Sequence, residues 1–230
     1  MRKPFPHQEQ SVVLLRAALK AGKKRPILQL QTGAGKTKVA ADIFHMARAK
    51  GKRCLFIADA ISLIDQTVEA FWEDGLRDVG VIQANHHLTD YSKPIQVASI
   101  QTLARRALPK FDLAIIDEAH GFHKTHIEIL GLYPQVPFIG LSATPWTRGL
   151  GNYFDCLIKP ITAAQLVEIG RTLPLVAYAP HSPDLSNVKI RAGEYDEGAL
   201  SIVMQDNKLV ADVVETWKEL GEGRPTLGYA

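Results

Sequence analysis

Between Leu30 and Thr37 the chain reads LQTGAGKT, at the end of an apolar run, PILQLQ (Pro26 to Gln31). That run is short and bounded by turn-formers, the character of a strand buried inside a sheet. Gly33, Ala34 and Gly35 then offer backbone with little or no Cβ obstruction, so its N–H groups can wrap around a polyphosphate. A helix follows, KTKVAADIFHMARAK, with Val39, Ile43 and Met46 along one face. Its N-terminus brings unpaired N–H groups and a partial positive charge to the same place. Strand, glycine turn and helix in this order make a phosphate loop. Thr32 opens the turn, Lys36 would reach the β and γ phosphates, and the Thr37 hydroxyl would ligate Mg²⁺.

A second motif supports the first. FDLAII (Phe111 to Ile116) is another buried-strand run, and DEAH (Asp117 to His120) follows it directly. Asp117 and Glu118 therefore emerge at the C-terminal end of a strand, where open parallel sheets bind their ligands. Asp117 is placed to hold Mg²⁺ through its water shell, and Glu118 to orient or deprotonate an attacking water. An acidic first turn of a helix would explain the same residues more blandly, but not their partnership with a phosphate loop. One departure from the general loop pattern matters: Leu30 stands where that pattern begins with glycine. This favours the shortened T-G-x-G-K-T form of nucleic-acid motors over a small-molecule kinase.

The rest of the chain alternates strand and helix signals. A helix from about Gln8 to Ala21 precedes the loop. RCLFIA, VGVIQ, IQVASI and VPFIGL read as further strands, with ISLIDQTVEAFWED and QTLARRAL as helices between them. The expected fold is α/β: a RecA-like P-loop domain with a mostly parallel central sheet flanked by helices, plus a short C-terminal extension. A hydrophobic fraction of 46% is enough for such a core, and a net charge of +3 is compatible with nucleic acid without demanding it. Cys54 and Cys156 lie in or beside apolar runs without metal-ligand spacing, as core residues in a reducing compartment would. No apolar stretch has transmembrane length and the start, MRKPFPHQEQ, is not a signal peptide. A cytoplasmic protein without a membrane partner is expected.

LQTGAGKT, DEAH and the SAT at Ser142 to Thr144 resemble motifs I, II and III of superfamily 2 helicases. The order, spacing and flanking text are most similar to the bacterial RadD-type DNA-repair helicases and the motor subunits of type III restriction enzymes. The likeness continues through ITAAQLVEIGRTLPL, which resembles the segment leading out of the first motor domain. The resemblance implies ATP as substrate, Mg²⁺ as cofactor, and DNA as partner, with RNA the alternative. It also implies that Gln8 reads the adenine edge, an amide being able to donate and accept at once. Ser142, Ala143 and Thr144 would couple hydrolysis to strand movement, with His120 as the link. Gln66 and the turn at Asp59 match one nucleic-acid-contacting motif, and Ser99, Gln101 and Thr102 match the next. The family often carries Arg near Phe5 and near Ala60; neither position is basic here.

Other features have plainer readings. His120, His123 and His126 recur every three residues but lack the Cys or paired carboxylate that would complete a metal set, so they read as polar helix surface. Lys20, Lys23, Lys24 and Arg25 read as a solvated turn. Arg105 and Arg106 flank the second contacting motif, where a phosphate role for Arg105 is natural. Arg148 is a candidate functional arginine, and Trp146 reads as a packing residue.

DNKLVADVVETWKEL (Asp206 to Leu220) is an amphipathic helix whose stripe is Leu209, Val213, Trp217 and Leu220. GEGRP breaks it and TLGYA reads as a strand. By resemblance this opens a second RecA-like domain expected beyond residue 230. The expected division is 1–150 as the ATP-binding domain, 151–204 as a connector, and 205–230 as the start of the second domain. The function this implies is the motor domain of an ATP-dependent DNA helicase or translocase in repair or recombination. A restriction or RNA-directed motor, and a non-catalytic nucleotide-binding half-domain, are the alternatives.

Overall fold

The computed structural model describes residues 2–83, 85–174, 183–191, 194–204, 207–221 and 223, the side chains of 191, 194 and 207–213 excepted. The chain divides into two compact units, Met1–Pro174 and Leu175–Ala230.

The first unit is built on one seven-stranded sheet in the order β3-β4-β2-β5-β6-β1-β7. The strands are β1 (Pro26–Gln29), β2 (Cys54–Ala58), β3 (Val79–Ile82), β4 (Ile95–Ser99), β5 (Leu113–Ile116), β6 (Phe138–Ser142) and β7 (Cys156–Ile158). Every pairing is parallel. All C-terminal ends therefore point to one edge, and everything the sequence marked for chemistry collects there. The helices are α1 (Pro6–Lys20), which precedes β1, α2 (Lys36–Arg48), α3 (Ile64–Glu73), α4 (Ile100–Leu103) and α5 (Lys124–Leu132), which run between strands, and α6 (Ala163–Glu168), which follows β7.

Strands β1 to β6 are buried on both faces, which is why they read as mostly apolar runs rather than alternating ones. One core layer packs Leu15, Val39, Phe44, Phe56 and Phe71 among its members, and the other Ile57, Ile116, Ile129 and Phe138. Phe44, Phe56 and Phe71 meet edge to face, with centroids 5.4 to 6.5 Å apart. Cys54 lies within this core, where burial pushes its thiol up to about 12.

The sheet extends beyond residue 150, because β7 pairs with β1 through Pro26↔Cys156 to Leu28↔Ile158. Three residues with Leu157 39% exposed give no apolar run long enough to read as a strand. QTLARRAL yields only the single turn of α4, since Ala104 to Ala107 are exposed and have no core to pack against.

In the second unit β8 (Ile190–Arg191) and β9 (Glu194–Tyr195) form an antiparallel pair, followed by α7 (Glu197–Met204) and α8 (Asn207–Leu220). The amphipathic helix expected from sequence is α8. Its Asp206 cap, the side chains of Leu209 and Val213, and the TLGYA strand lie outside the described residues. Trp217 and Leu220 are exposed by 48% and 43%.

Candidate functional site

The phosphate loop hangs between β1 and α2. Leu30, the departure from the glycine-first pattern, is fully buried, and its N–H donates to the Ser142 carbonyl at 2.9 Å. The position is an extension of the core strand, so a large apolar residue suits it. Gly33 and Gly35 have φ of +84° and +83°, left-handed values that ordinary side chains disfavour. A Cβ on Gly35 would also lie 2.4 Å from Gln8 Nε2, and one on Gly33 2.9 Å from Thr172 Cγ2. Lys36 and Thr37 open α2, both half-buried.

Asp117 and Glu118 follow β5 as expected, and Lys36 Nζ pairs with Glu118 Oε1. Glu118 has φ of 44°, the only positive value at a non-glycine among the described residues. Left-handed backbone at a side chain without special tolerance for it costs about 1–3 kcal/mol and is retained where geometry matters. Asp117 Oδ1 is buried and has no hydrogen-bond partner. Burial pushes its carboxyl above the ordinary range, with the Lys36 ammonium pulling the other way. A buried carboxylate oxygen without a partner, at the C-terminal edge and facing a phosphate loop, fits a divalent cation held there together with Thr37.

Motif III is tied to this centre through side chains. His120 Nδ1 lies 3.0 Å from Ser142 Oγ and 3.2 Å from Glu118 Oε2, while Thr144 N–H donates to Ser142 Oγ at 3.1 Å. Thr147, which sequence reasoning passed over, donates its hydroxyl to the His120 carbonyl at 2.8 Å. Ala143 offers its carbonyl to Gln29 Nε2 at 3.4 Å.

The expected nucleic-acid residues lie farther along the same edge, after β2 and β4. Gln66, Gln101 and Arg105 are exposed and Thr102 is half-buried. Ser99 is fully buried and is not a surface contact: its hydroxyl caps α4, accepting the Thr102 N–H at 3.2 Å. Gln101 donates to the Asp59 carbonyl at 2.7 Å, and Asp59 Oδ1 lies 3.6 Å from His123 Nε2. Asp59 thereby joins the loops after β2 and β4 to the one after β5.

Three plain readings need correction. His120, His123 and His126 do not share a helix surface: His120 sits in the turn after β5, His123 precedes α5, and His126 is 3% exposed. Trp146 does not pack in the core; it is 60% exposed with Lys159 Nζ 4.7 Å from its ring centroid. Arg25 is not merely solvated, since its guanidinium donates to the Leu130 carbonyl at 3.2 Å.

Gln8 is 4% exposed and braces the loop from beneath. Its Oε1 accepts the Phe5 N–H at 2.9 Å and its Nε2 donates to the Ala34 carbonyl at 3.0 Å. His7 and Arg171 carried no sequence signal, because each acts through a partner elsewhere in the chain: His7 Nε2 lies 3.0 Å from the Ala34 carbonyl, and the Arg171 guanidinium 3.7 Å from the Phe5 ring centroid.

The profile of the family described as "Type III restriction enzyme, res subunit" matches residues 2–147, well over half of the chain. A 51.5 kDa protein of Lactococcus phage (isolate 7-9) is 27% identical over 213 residues, 89% of this chain and 43% of its own length. The DNA 3'-5' translocase XPB2 of Sulfurisphaera tokodaii is 31% identical over 147 residues, 63% of this chain and 33% of its own. The crystal structure of the UvsW helicase from bacteriophage T4 superposes with a TM-score of 0.58 at 21% identity, covering 69% of this chain and 61% of that one. The chain thus spans less than half the length of these curated relatives. At such identity the T4 structure speaks for the fold alone, and it is the RecA-like one.

Proposed function

This chain belongs to the type III restriction enzyme res subunit family, and from that premise we propose that it is the N-terminal ATP-binding motor domain of an ATP-dependent DNA helicase or translocase. The observation that carries the reading is the Lys36–Glu118 pair beside the unpartnered Asp117 Oδ1. The pair sets a cation and a carboxylate side by side at the mouth of the phosphate loop, the two charges that phosphate binding and water activation need. When nucleotide enters, Lys36 exchanges Glu118 for the β and γ phosphates, and Glu118 is released to orient and deprotonate the attacking water. Gly33, Ala34 and Gly35 bring backbone N–H groups to the phosphates, with Thr32 opening the turn and Gln8 holding Ala34 in place. Thr37 and Asp117 would hold Mg²⁺, which when bound neutralises charge developing on the transferred phosphoryl group.

His120 and Ser142, with Thr144, relay the state of Glu118 to the loop after β6, which Thr147 ties back to His120. Gln66, Gln101, Thr102 and Arg105 would meet the DNA backbone, as expected of a relative of a DNA translocase. Residues 205–230 are read as the opening of a second motor domain.

Lys36→Ala tests the reading. Charge-assisted contacts are worth about 1.5–3 kcal/mol, so Mg–ATP affinity measured by calorimetry should fall by roughly one to two orders of magnitude. Unchanged affinity would remove the phosphate-loop assignment.

A further inference from the structure

At the edge of the sheet opposite the phosphate loop, α1, α2 and β5 leave a trough of about 480 Å³ between them. Its walls include Leu15, Leu19, Ile43, Met46, Leu113 and Pro137. Leu19, Met46 and Pro137 are only half-buried, so the trough is apolar surface that still meets solvent. None of the residues assigned to nucleotide, metal or DNA lines it. Those residues stand at the other ends of the same elements: Gln8 lies in the first turn of α1, Lys36 opens α2, and Asp117 follows β5.

Cations gather round this trough without acids to match them. Arg16, Lys50 and Lys52 belong to the lining and are exposed. Lys20 stands one turn beyond Arg16 on α1, a spacing at which like charges repel. Among the described residues, Arg16, Lys20 and Lys50 have no carboxylate within ion-pair distance. The carboxylate in the lining, Asp112, is already engaged: Oδ1 lies 3.3 Å from Lys52 Nζ, and Oδ2 accepts the Arg53 N–H at 2.8 Å. Composition does not force this, since the chain sets 27 Lys and Arg against 24 Asp and Glu. Lysines near the C-terminal ends of α1 and α2 complement the helix dipoles. That accounts for charge at those ends but not for apolar walls left uncovered between them.

Walls and rim together define what fits. The walls take an apolar group, and the rim takes negative charge. A nucleic-acid strand brings the charge, but the lining has no aromatic ring on which a base could stack. A lipid surface is flat, whereas these walls are recessed between two helices. A peptide satisfies both demands at once: a bulky apolar side chain seats in the trough while carboxylates on either side meet the cations.

We propose that this trough is a docking site for an acidic peptide segment of a partner protein, anchored by a bulky apolar side chain. Arg16 and Lys50 meet its carboxylates, and Leu19, Met46 and Leu113 receive the anchor. The occupant lies at the edge away from Lys36 and Asp117, so a docked motor keeps its nucleotide edge free.

The test is fluorescence anisotropy on the full chain with a labelled eight-residue peptide, a Leu-Phe pair set among Asp and Glu. The peptide should bind, and more weakly as salt is raised. Two alanines in place of the Leu-Phe pair should weaken binding roughly ten- to a hundredfold, the scale of burying one large apolar side chain. Asn and Gln in place of the acids should weaken it by about tenfold or more. Arg16→Glu combined with Lys50→Glu, both at exposed positions, should have an effect of that size and leave Mg–ATP affinity unchanged. Met46→Glu, which sets a carboxylate on the wall, should do the same; should it not fold, the exposed pair carries the test. Lys36→Ala should leave peptide affinity as it is, so failure of the nucleotide reading and failure of this one are separate results. Absence of binding at millimolar peptide, or full binding by the charge-reversed chain, overturns the proposal. Equal binding of the alanine peptide overturns it too, leaving a patch that attracts charge alone. So does displacement of the peptide by oligothymidylate or by anionic phospholipid vesicles as readily as by unlabelled peptide, which would make this a nucleic-acid or lipid face.

Discussion

The ends of β1, β5 and β6 and the ends of β2 and β4 lie along one edge of one sheet, yet they present side chains in opposite ways. At the first, Lys36, Glu118, His120 and Ser142 answer to one another in sequence, and Asp117 keeps a buried oxygen unpartnered. At the second, Gln66, Gln101 and Arg105 stand in solvent, and the buried hydroxyl of Ser99 caps a helix. The difference follows from the two ligands proposed. A triphosphate and a cation are gripped by few groups whose fields act most strongly where solvent screens them least, so these side chains are drawn together and partly buried. A polymer backbone is met by many weak exposed contacts that must be made and released. The contrast gives the two ends different expected responses to substitution.

The sharpest break would come at Glu118. Glu118→Gln keeps shape and removes the base, and general-base catalysis contributes about 10²–10⁴-fold. ATP turnover, followed as phosphate release with DNA present, should fall by that much while nucleotide affinity holds or rises, because Lys36 loses its competing partner. Turnover within threefold of wild type would mean that the cluster is structural and that water is activated elsewhere.

The sequence made the first end far more legible than the second, and the reason is physical. Backbone that must curl around phosphate needs Gly33 and Gly35 at left-handed φ, and carboxylates must follow a buried strand. Such demands are local and leave marks within a few residues. Leu30 shows the same locality, since its departure from pattern is explained by its own burial. The second end depends on which exposed residues face a partner, and exposure leaves little pattern; Ser99 looked like a contact until its hydroxyl proved to be a cap. Nor could local pattern disclose β7, too short to show periodicity, or Trp146, whose partner Lys159 lies on another segment. His7 and Arg171 escaped for the same reason. Meaning that resides in a long-range contact is invisible until the chain is folded.

His126 lies at the border between the two ends, and its burial gives a pH signature of intermediate size. Its Nδ1 accepts the His123 N–H at 3.0 Å, and its ring stacks on Phe122 with centroids 5.0 Å apart. Burial, helped by His123, lowers its pKa from 6.5 to about 4. The fold thus favours the neutral ring, so its stabilising contribution is complete above the unfolded value near 6.5 and is lost as pH falls towards 4. The loss should approach the order of 3 kcal/mol at the acid limit. Denaturant titrations at pH 7.5 and near pH 4.5 should show a steeper decline for wild type than for His126→Gln. Parallel profiles would mean that the site reopens to water on protonation, and that the border is as soft as the exposed end.

The smallest effect is expected at Arg105, and it tests the exposed end directly. Arg105 is exposed and lies just beyond the turn in which Ser99 holds Thr102 and Gln101 meets the Asp59 carbonyl. A side chain of this kind that touches one phosphate acts by releasing a counterion, and removing it should weaken binding to single-stranded DNA only a few-fold. Its signature is the salt dependence. Each phosphate contact contributes about 0.7 to the slope of log affinity against log salt on single strands, so Arg105→Ala should flatten that slope by about that amount. Fluorescence anisotropy across a salt series measures it, with nucleotide affinity as the control expected to stay constant. If the slope is unchanged, Arg105 is a solvated charge, and the phosphate contacts of this edge must be made elsewhere. If nucleotide affinity falls as well, the two ends are not separable in the way their side chains suggest, and the Gln101–Asp59–His123 connection is the first place to look for the coupling between them.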